Sequence, residues 1–459
     1  MQGKKYLLKI YGIALLLGLL FFQTKALARQ AVPDSLKLRP KFSGQWRTYY
    51  MSTLNEGNLQ NFYALATGGK IKYEQPVSKN FSLGAALYTS FNLGVQDLTQ
   101  TDATTGRLSR YEAGLFDVTD LSKRAIFIPG ELYAAYETKK HFVKVGRMLA
   151  KSPFLNGQDG RMIPTLEQGI WYSYKPSKKY VFEAAIFNEI APRSTGEFYN
   201  IGESLGTYPV GRNPDRSPSG YGNKNSASSY LALLHGQWQV SNKLKVNIWD
   251  YHVDNIFNML YVNPELKLDD KGTSLGLQWV MQNKVGDGGN AIDSLRYFTD
   301  EQSHVLATRF QFKVQKATIS LAYSHIFSGG RFLFPREWGR ESLYSFQKRE
   351  RSEGTANNHA VVLYYNNVWK LGNNKLNGIF SIGHHWKPSV TDAAANKYAI
   401  PDYTHFNLDF FFHSDKFKRL KPELLLTYKR GSGNIPENPN FIFNKVNLFI
   451  TNFIINYNF

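Results

Sequence analysis

From Leu38 onward, apolar and polar residues alternate in runs of about ten. In the first run Leu38, Phe42 and Trp46 share one face, while Arg39, Lys41, Ser43, Gln45 and Arg47 share the other. A period of two marks a β-strand, because successive side chains point to opposite sides of the sheet. Leu306, Thr308, Phe310, Phe312 and Val314 stand opposite Ala307, Arg309, Gln311 and Lys313. Leu244, Val246 and Ile248 oppose Lys245 and Asn247, and Phe406, Leu408, Phe410 and Phe412 oppose Asn407 and Asp409. The pattern predicts 18 strands, near 38–50, 60–75, 79–92, 130–139, 140–149, 166–176, 178–189, 227–241, 243–253, 256–268, 271–283, 304–313, 316–327, 356–370, 375–387, 402–413, 419–431 and 444–459. Most are near or above the ~10 residues that cross a bilayer as a tilted strand.

The connections alternate in length. Short turns such as Lys139–Lys140, Gln315 and Leu371–Asn374 are interleaved with long polar segments near 93–129, 150–165, 190–226, 284–303, 328–355, 388–401 and 432–443. Short turns at one rim and long loops at the other are what an up-and-down transmembrane barrel requires, with the turns in the periplasm and the loops outside the cell. The expected fold is therefore all-β: a transmembrane antiparallel barrel of about 18 strands, with both termini at the periplasmic rim.

The N-terminus fits this destination. Lys4, Lys5 and Lys9 precede an apolar run from Ile10 to Phe22, and Ala26-Leu27-Ala28 follows. That is the layout of a secretory signal, so residues 1–28 are expected to be a signal peptide and 29–459 the barrel domain. No later apolar run reaches the ~18 residues of a membrane helix. A mean hydropathy of −0.37 is compatible with a barrel, whose alternate residues face water. Aromatic residues make up 15% of the chain, which suits the girdles of an outer-membrane barrel. With no cysteine, disulfide frameworks, thiol catalysis and thiolate metal sites are all excluded. The net charge is +19, or +15 without the four lysines of the signal. The basic residues are spread along the chain and form no nucleic-acid module, so a basic lumen and basic loops are expected.

Few motifs suggest covalent chemistry. Gly202-Glu203-Ser204-Leu205-Gly206 matches a nucleophile elbow by letter, but lies in a polar loop rather than between a strand and a helix. His384 and His385 are adjacent strand residues and point apart. Asp287-Gly288-Gly289 reads as a turn. No catalytic residue, metal site or cofactor is expected.

One stretch carries more information. Val145 to Thr165 spans the third long loop, with glycines and prolines for a compact course and Arg147, Lys151, Asp159 and Arg161 as opposed charges. A charged loop folded into the lumen narrows a pore and sets its selectivity. This stretch, together with Phe334-Pro335-Arg336-Glu337-Trp338-Gly339-Arg340-Glu341-Ser342-Leu343-Tyr344-Ser345-Phe346 and Arg349-Glu350-Arg351, resembles the OprD family of substrate-selective outer-membrane porins. The resemblance implies an 18-stranded barrel whose third and seventh loops fold inward, with an arginine-rich ladder that guides a substrate carboxylate. On that basis Arg147, Lys151, Asp159, Arg161, Arg336, Glu337, Arg340 and Glu341 are the constriction candidates. Arg39, Lys41, Arg47, Arg309 and Lys313 are the ladder candidates, because alternation points them inward. The chain lacks a clear acidic pocket for a cationic amine.

The expected function is passive diffusion of small polar or anionic solutes: carboxylates, amino acids, peptides or oligosaccharides. A closed structural or adhesive barrel is the alternative, and a barrel enzyme a more distant one. Expected partners are outer-membrane lipid and lipopolysaccharide, the solutes themselves, and the barrel assembly machinery through the terminal Phe459. Family members are often trimeric or loosely associated, which makes a homotrimer one expected assembly. No nucleic acid is expected to bind.

Overall fold

The computed structural model describes residues 38–157, 161–208 and 210–459. The signal peptide expected at 1–28 and the constriction candidate Asp159 lie outside the described residues. Eighteen antiparallel strands form one closed sheet: β1 Lys41–Asn55, β2 Phe62–Pro76, β3 Phe81–Asn92, β4 Ala125–Glu137, β5 His141–Met148, β6 Leu166–Ser177, β7 Tyr180–Ala191, β8 Leu231–Gln239, β9 Leu244–Val253, β10 Phe257–Lys267, β11 Ser274–Lys284, β12 Gln302–Val314, β13 Ala317–Ile326, β14 Asn358–Leu371, β15 Asn374–Trp386, β16 Asp402–His413, β17 Leu420–Ser432 and β18 Leu448–Asn458. A further two-residue strand, Tyr199–Asn200, adds to β7 from within a loop. Each strand pairs with its sequence neighbours, and β1 closes on β18 from Gln45↔Asn458 to Asn55↔Leu448. Closure leaves no sheet edge and satisfies every strand from both sides.

The alternation expected from sequence sets the two faces. Phe42, Trp46, Ile248, Phe310, Phe406 and Phe453 are exposed on the outer wall. Arg47, Ala307, Asn407, Asp409, Asn452 and Asn456 are buried on the inner one. The usual soluble arrangement is thus inverted, with apolar groups outside and polar groups around the lumen. Strand β4 starts at Ala125 rather than near 130, because the apolar run Ala125–Ile128 pairs with β3 above a bulge at Ala86/Leu87. No helix of the described residues is long and apolar enough to cross a membrane, which says nothing of strands.

One rim carries turns of a few residues. The other carries loops L1 (56–61), L2 (93–124), L3 (149–165), L4 (192–230), L5 (254–256), L6 (285–301), L7 (327–357), L8 (387–401) and L9 (433–447). Their apolar side chains fill one side of the lumen. Phe154 of L3 meets the rings of Tyr251, Tyr261, Phe332 and Phe334 at centroid distances of 6.0, 5.3, 6.0 and 5.6 Å. Phe257, Phe298 and Trp338 extend the cluster. Fully burying one such ring is worth about 1.5–3 kcal/mol. This core leaves open space on the opposite side, beneath L2, L8 and L9.

Candidate pore constriction

Loops L3 and L7 meet inside the barrel. Asn156 of L3 binds the backbone of Arg340 in both directions: its Nδ2 donates to the Arg340 carbonyl at 3.0 Å, and its Oδ1 accepts from the Arg340 amide at 3.1 Å. The Asn156 amide donates to the Trp338 carbonyl at 3.3 Å, and Ser342 Oγ donates to the Pro153 carbonyl at 2.6 Å. The approach is so close that a Cβ on Gly339 would lie 1.6 Å from the Phe154 carbonyl oxygen. The wall holds L7 as well. Gln282 of β11 brackets the backbone of Leu333 at 2.7 and 3.0 Å, and Gln278 bonds the Ser342 carbonyl at 2.8 Å and the Tyr344 amide at 2.9 Å.

Beside this partition runs a cavity of about 750 Å³, from the ends of L2, L4, L8 and L9 down to Asp409 and Glu423 on the wall. It is lined by twelve basic side chains (Arg107, Arg110, Arg161, Arg193, Arg212, Arg336, Arg340, Lys348, Arg349, Arg351, Lys397, Lys445) and three acidic ones (Glu350, Asp409, Glu423). A second cavity, of about 740 Å³, lies under L3 and is lined by Gln45, Arg47, Lys70, Lys151 and Asn458 among others. Arg161 lines both, so it marks the junction between them. It packs against Gly114 of L2, where a Cβ would meet its Nε at 2.5 Å. Burial pushes the Arg161 guanidinium below its ordinary range, and the neighbouring charge of Arg349 adds to this.

The sequence profile of the outer membrane porins of the OprD family matches residues 133–373, more than half of the chain. The chain belongs to the OprD family of outer membrane porins. It is an integral outer-membrane β-barrel. OpdK of Pseudomonas aeruginosa, solved with vanillate, shares 16% identity with a TM-score of 0.65, covering 92% of this chain and 98% of that one. OccAB3 of Acinetobacter baumannii shares 14% at a TM-score of 0.67, covering 92% and 99%. OccK8 (OprE) of P. aeruginosa shares 14% at 0.64, covering 92% and 98%. No curated protein sequence matches the chain. At these identities the solved structures speak for the fold.

In this OprD-family barrel the candidate residues separate into groups. Arg161, Arg336 and Arg340 line the main cavity, and Lys151 and Arg47 the lower one. Arg47 is buried in the wall, where Nε donates to Asn456 Oδ1 at 2.7 Å and Nη1 to the Arg161 carbonyl at 2.8 Å. Arg336 pairs with Glu353 at 2.6 Å and lies 3.6 Å over the Tyr398 ring.

Three other constriction candidates, Arg147, Glu337 and Glu341, do not line either cavity. Arg147 falls on the same face of β5 as the exposed Val145, bonds Gln168 Oε1 at 2.9 Å and lies over Phe198 at 4.2 Å, away from both cavities. Glu337 is buried where three loops meet. Its carbonyl accepts from Thr165 Oγ1 at 2.8 Å and from the Arg193 amide at 3.2 Å, and its carboxyl accepts from the Gly206 amide at 2.6 Å. Glu341 is buried too and accepts from the amides of Ser352 and Glu353 at 2.6 and 3.0 Å. Burial pushes both carboxyls above their usual range, so they tie backbone together rather than face a solute.

The ladder candidates are dispersed. Lys41 sits at the turn rim in register with Glu74, and Arg39 precedes β1, exposed. Arg309 pairs with Glu265 at 2.9 Å and lies 4.3 Å over Tyr344, while Lys313 is exposed near Gly272. A different inward strip is present. Lys72 pairs with Glu131 at 3.0 Å, Lys70 reaches the same carboxylate at 3.9 Å, and Lys144 lies 4.1 Å over the Tyr133 ring. Strand parity could have found it, since Lys70 and Lys72 flank the exposed Ile71. Ser204 of the elbow-like motif is fully buried and accepts from Trp338 Nε1 at 2.8 Å.

Proposed function

We propose that this porin passes small anionic solutes, carboxylates first, by passive diffusion and without covalent chemistry. The observation that carries this reading is the ratio of twelve basic to three acidic side chains on the main cavity. A narrow aqueous space between low-dielectric walls focuses such a field, concentrating anions and repelling cations. Aromatic faces accompany the charges: Arg193 lies 4.1 Å over Tyr208, and Arg340 5.3 Å over Phe346. Guanidinium over an aromatic ring suits a solute with a carboxylate at one end and an apolar body. The structure of OpdK with vanillate shows such a carboxylate with another member of the fold.

Swelling of liposomes tests the proposal. Vesicles holding the protein should swell faster in gluconate than in an equal osmolarity of lysine hydrochloride, a solute of similar size and opposite charge. Equal rates, or faster swelling in lysine, would contradict it.

A further inference from the structure

The two rims of the barrel differ in charge. The eight short turns (77–80, 138–140, 178–179, 240–243, 268–273, 315–316, 372–373 and 414–419) hold eleven basic residues and three acidic ones. All eleven basic side chains are exposed. The nine long loops hold twenty basic and twenty-one acidic residues. The loops are thus balanced as a whole, while the turn rim, which faces the periplasm, is strongly positive.

The charge is densest where three consecutive turns adjoin, between β4 and β9. Thr138-Lys139-Lys140, Lys178-Lys179 and Val240-Ser241-Asn242-Lys243 contain five lysines and no acidic residue. Backbone joins them into one arc: the Lys175 amide donates to the Lys140 carbonyl at 2.7 Å, and the Gln239 amide to the Lys179 carbonyl at 2.8 Å. Among the described residues, no ion pair takes any of the five ammonium groups. Glu137 and Glu183 on the flanking strands follow the outward Tyr136 and Phe182, so strand parity turns both carboxylates to the lumen. The lipid-facing wall beneath the arc is aromatic. Tyr136, Tyr172, Tyr180, Phe182 and Trp238 are exposed on it, and Val240 carries apolar surface into a turn. Tyr180 stacks on Phe182 at 6.3 Å. Such a belt sits at the level of the lipid headgroups. Lysines just beyond it can lay their methylene stems on the rings and hold their ammonium groups among the phosphates.

We propose that this lysine arc binds the headgroups of anionic phospholipids in the inner leaflet of the outer membrane, with phosphatidylglycerol as the simplest such lipid. Charge complementarity selects an anion. The ring belt selects one that carries acyl chains over a soluble acidic protein or a free solute. The arc lies on the outside of the barrel, so the inference stands apart from the reading of the channel. Near an anionic surface each lysine strengthens binding by roughly fivefold at low salt.

Native mass spectrometry of the folded barrel in nonionic detergent tests this. Dioleoylphosphatidylglycerol and dioleoylphosphatidylcholine, which share acyl chains and differ in headgroup charge, are added in equal amounts and the retained lipids are counted. The wild type should retain phosphatidylglycerol in preference by about fivefold or more. Added ammonium acetate should shrink that preference by screening. The quadruple variant Lys139→Gln, Lys140→Gln, Lys178→Gln and Lys179→Gln should lose most of it, in protein whose unheated gel migration shows a folded barrel. Lys123→Gln with Lys224→Gln removes two exposed charges from the long-loop rim and should leave it unchanged. Equal retention of the two lipids by the wild type would overturn the inference. A preference that survives the quadruple variant, or that falls equally in the loop-side variant, would overturn the placement at the arc.

Discussion

Gly339→Ala is expected to part L3 from L7, raise single-channel conductance and weaken selectivity. The added Cβ would lie 1.6 Å from the carbonyl oxygen of Phe154. That contact is with backbone, so no side-chain rotation relieves it. L3 cannot retreat without withdrawing Phe154 from its ring cluster and breaking the Asn156–Arg340 pairing. Overpacking of a well-fitted contact costs about 1–3 kcal/mol, and a clash against fixed backbone belongs at the upper end. The barrel wall should be untouched, since its ladders do not pass through this contact. Conductance and reversal potential, measured beside unheated gel migration, check both halves of the expectation. Asn156→Ala should act in the same direction and more weakly, because each lost hydrogen bond is worth only about 1 kcal/mol. Unchanged conductance in Gly339→Ala would mean that the L3–L7 seam does not narrow the pore.

Glu350→Gln should cost about 3–5 kcal/mol in stability of the loop assembly. Glu350 takes both Arg110 nitrogens, Nη1 at 3.3 Å and Nη2 at 3.0 Å, and Lys429 Nζ at 2.9 Å. Lys429 has no exposed surface, so a neutral residue at 350 strands a buried cation. Glu350→Gln combined with Lys429→Met should recover much of the loss, which a purely steric effect of the glutamine would not allow. Burial alone would raise the Glu350 carboxyl, but Arg110 and then Lys429 hold it well below the carboxylate range. The folded value is thus depressed. Its contribution is complete above the unfolded value near 4.3 and is lost only as pH falls through the lower folded one. Thermal denaturation in detergent should therefore show this contribution flat from pH 8 to 5. A pronounced loss between those values in wild type, absent from Glu350→Gln, would contradict the pairing.

The wall was legible in the sequence because the period of two needs no knowledge of contacts. Parity alone places Phe42 and Trp46 outside and Arg47 inside, as the barrel does. The same rule applied to β5 would have placed Arg147 with Val145 on the outer face. Its nearness to a Gly-rich loop concealed this. The loops follow no such period. Glu337 and Glu341 look like pore acids in a charged stretch, yet their burial depends on amides from distant parts of the chain, such as Gly206, and on tight turns within L7. Nothing local to Asn156 marks it as the residue that joins two loops. Arg193 and Lys397 enter the channel only because L4 and L8 fold over it. Lone basic residues in polar loops carry no sign of that.

The zero-current potential of the wild-type channel across a KCl gradient tests the central claim most directly. The basic channel predicts a potential of the sign set by chloride, shrinking as salt shortens the Debye length to ~3 Å near 1 M. Arg161→Gln and Arg340→Gln should each move it toward potassium, and Arg147→Gln should leave it unchanged. A potassium-selective wild type, or an equal response to all three substitutions, would contradict the account of the channel.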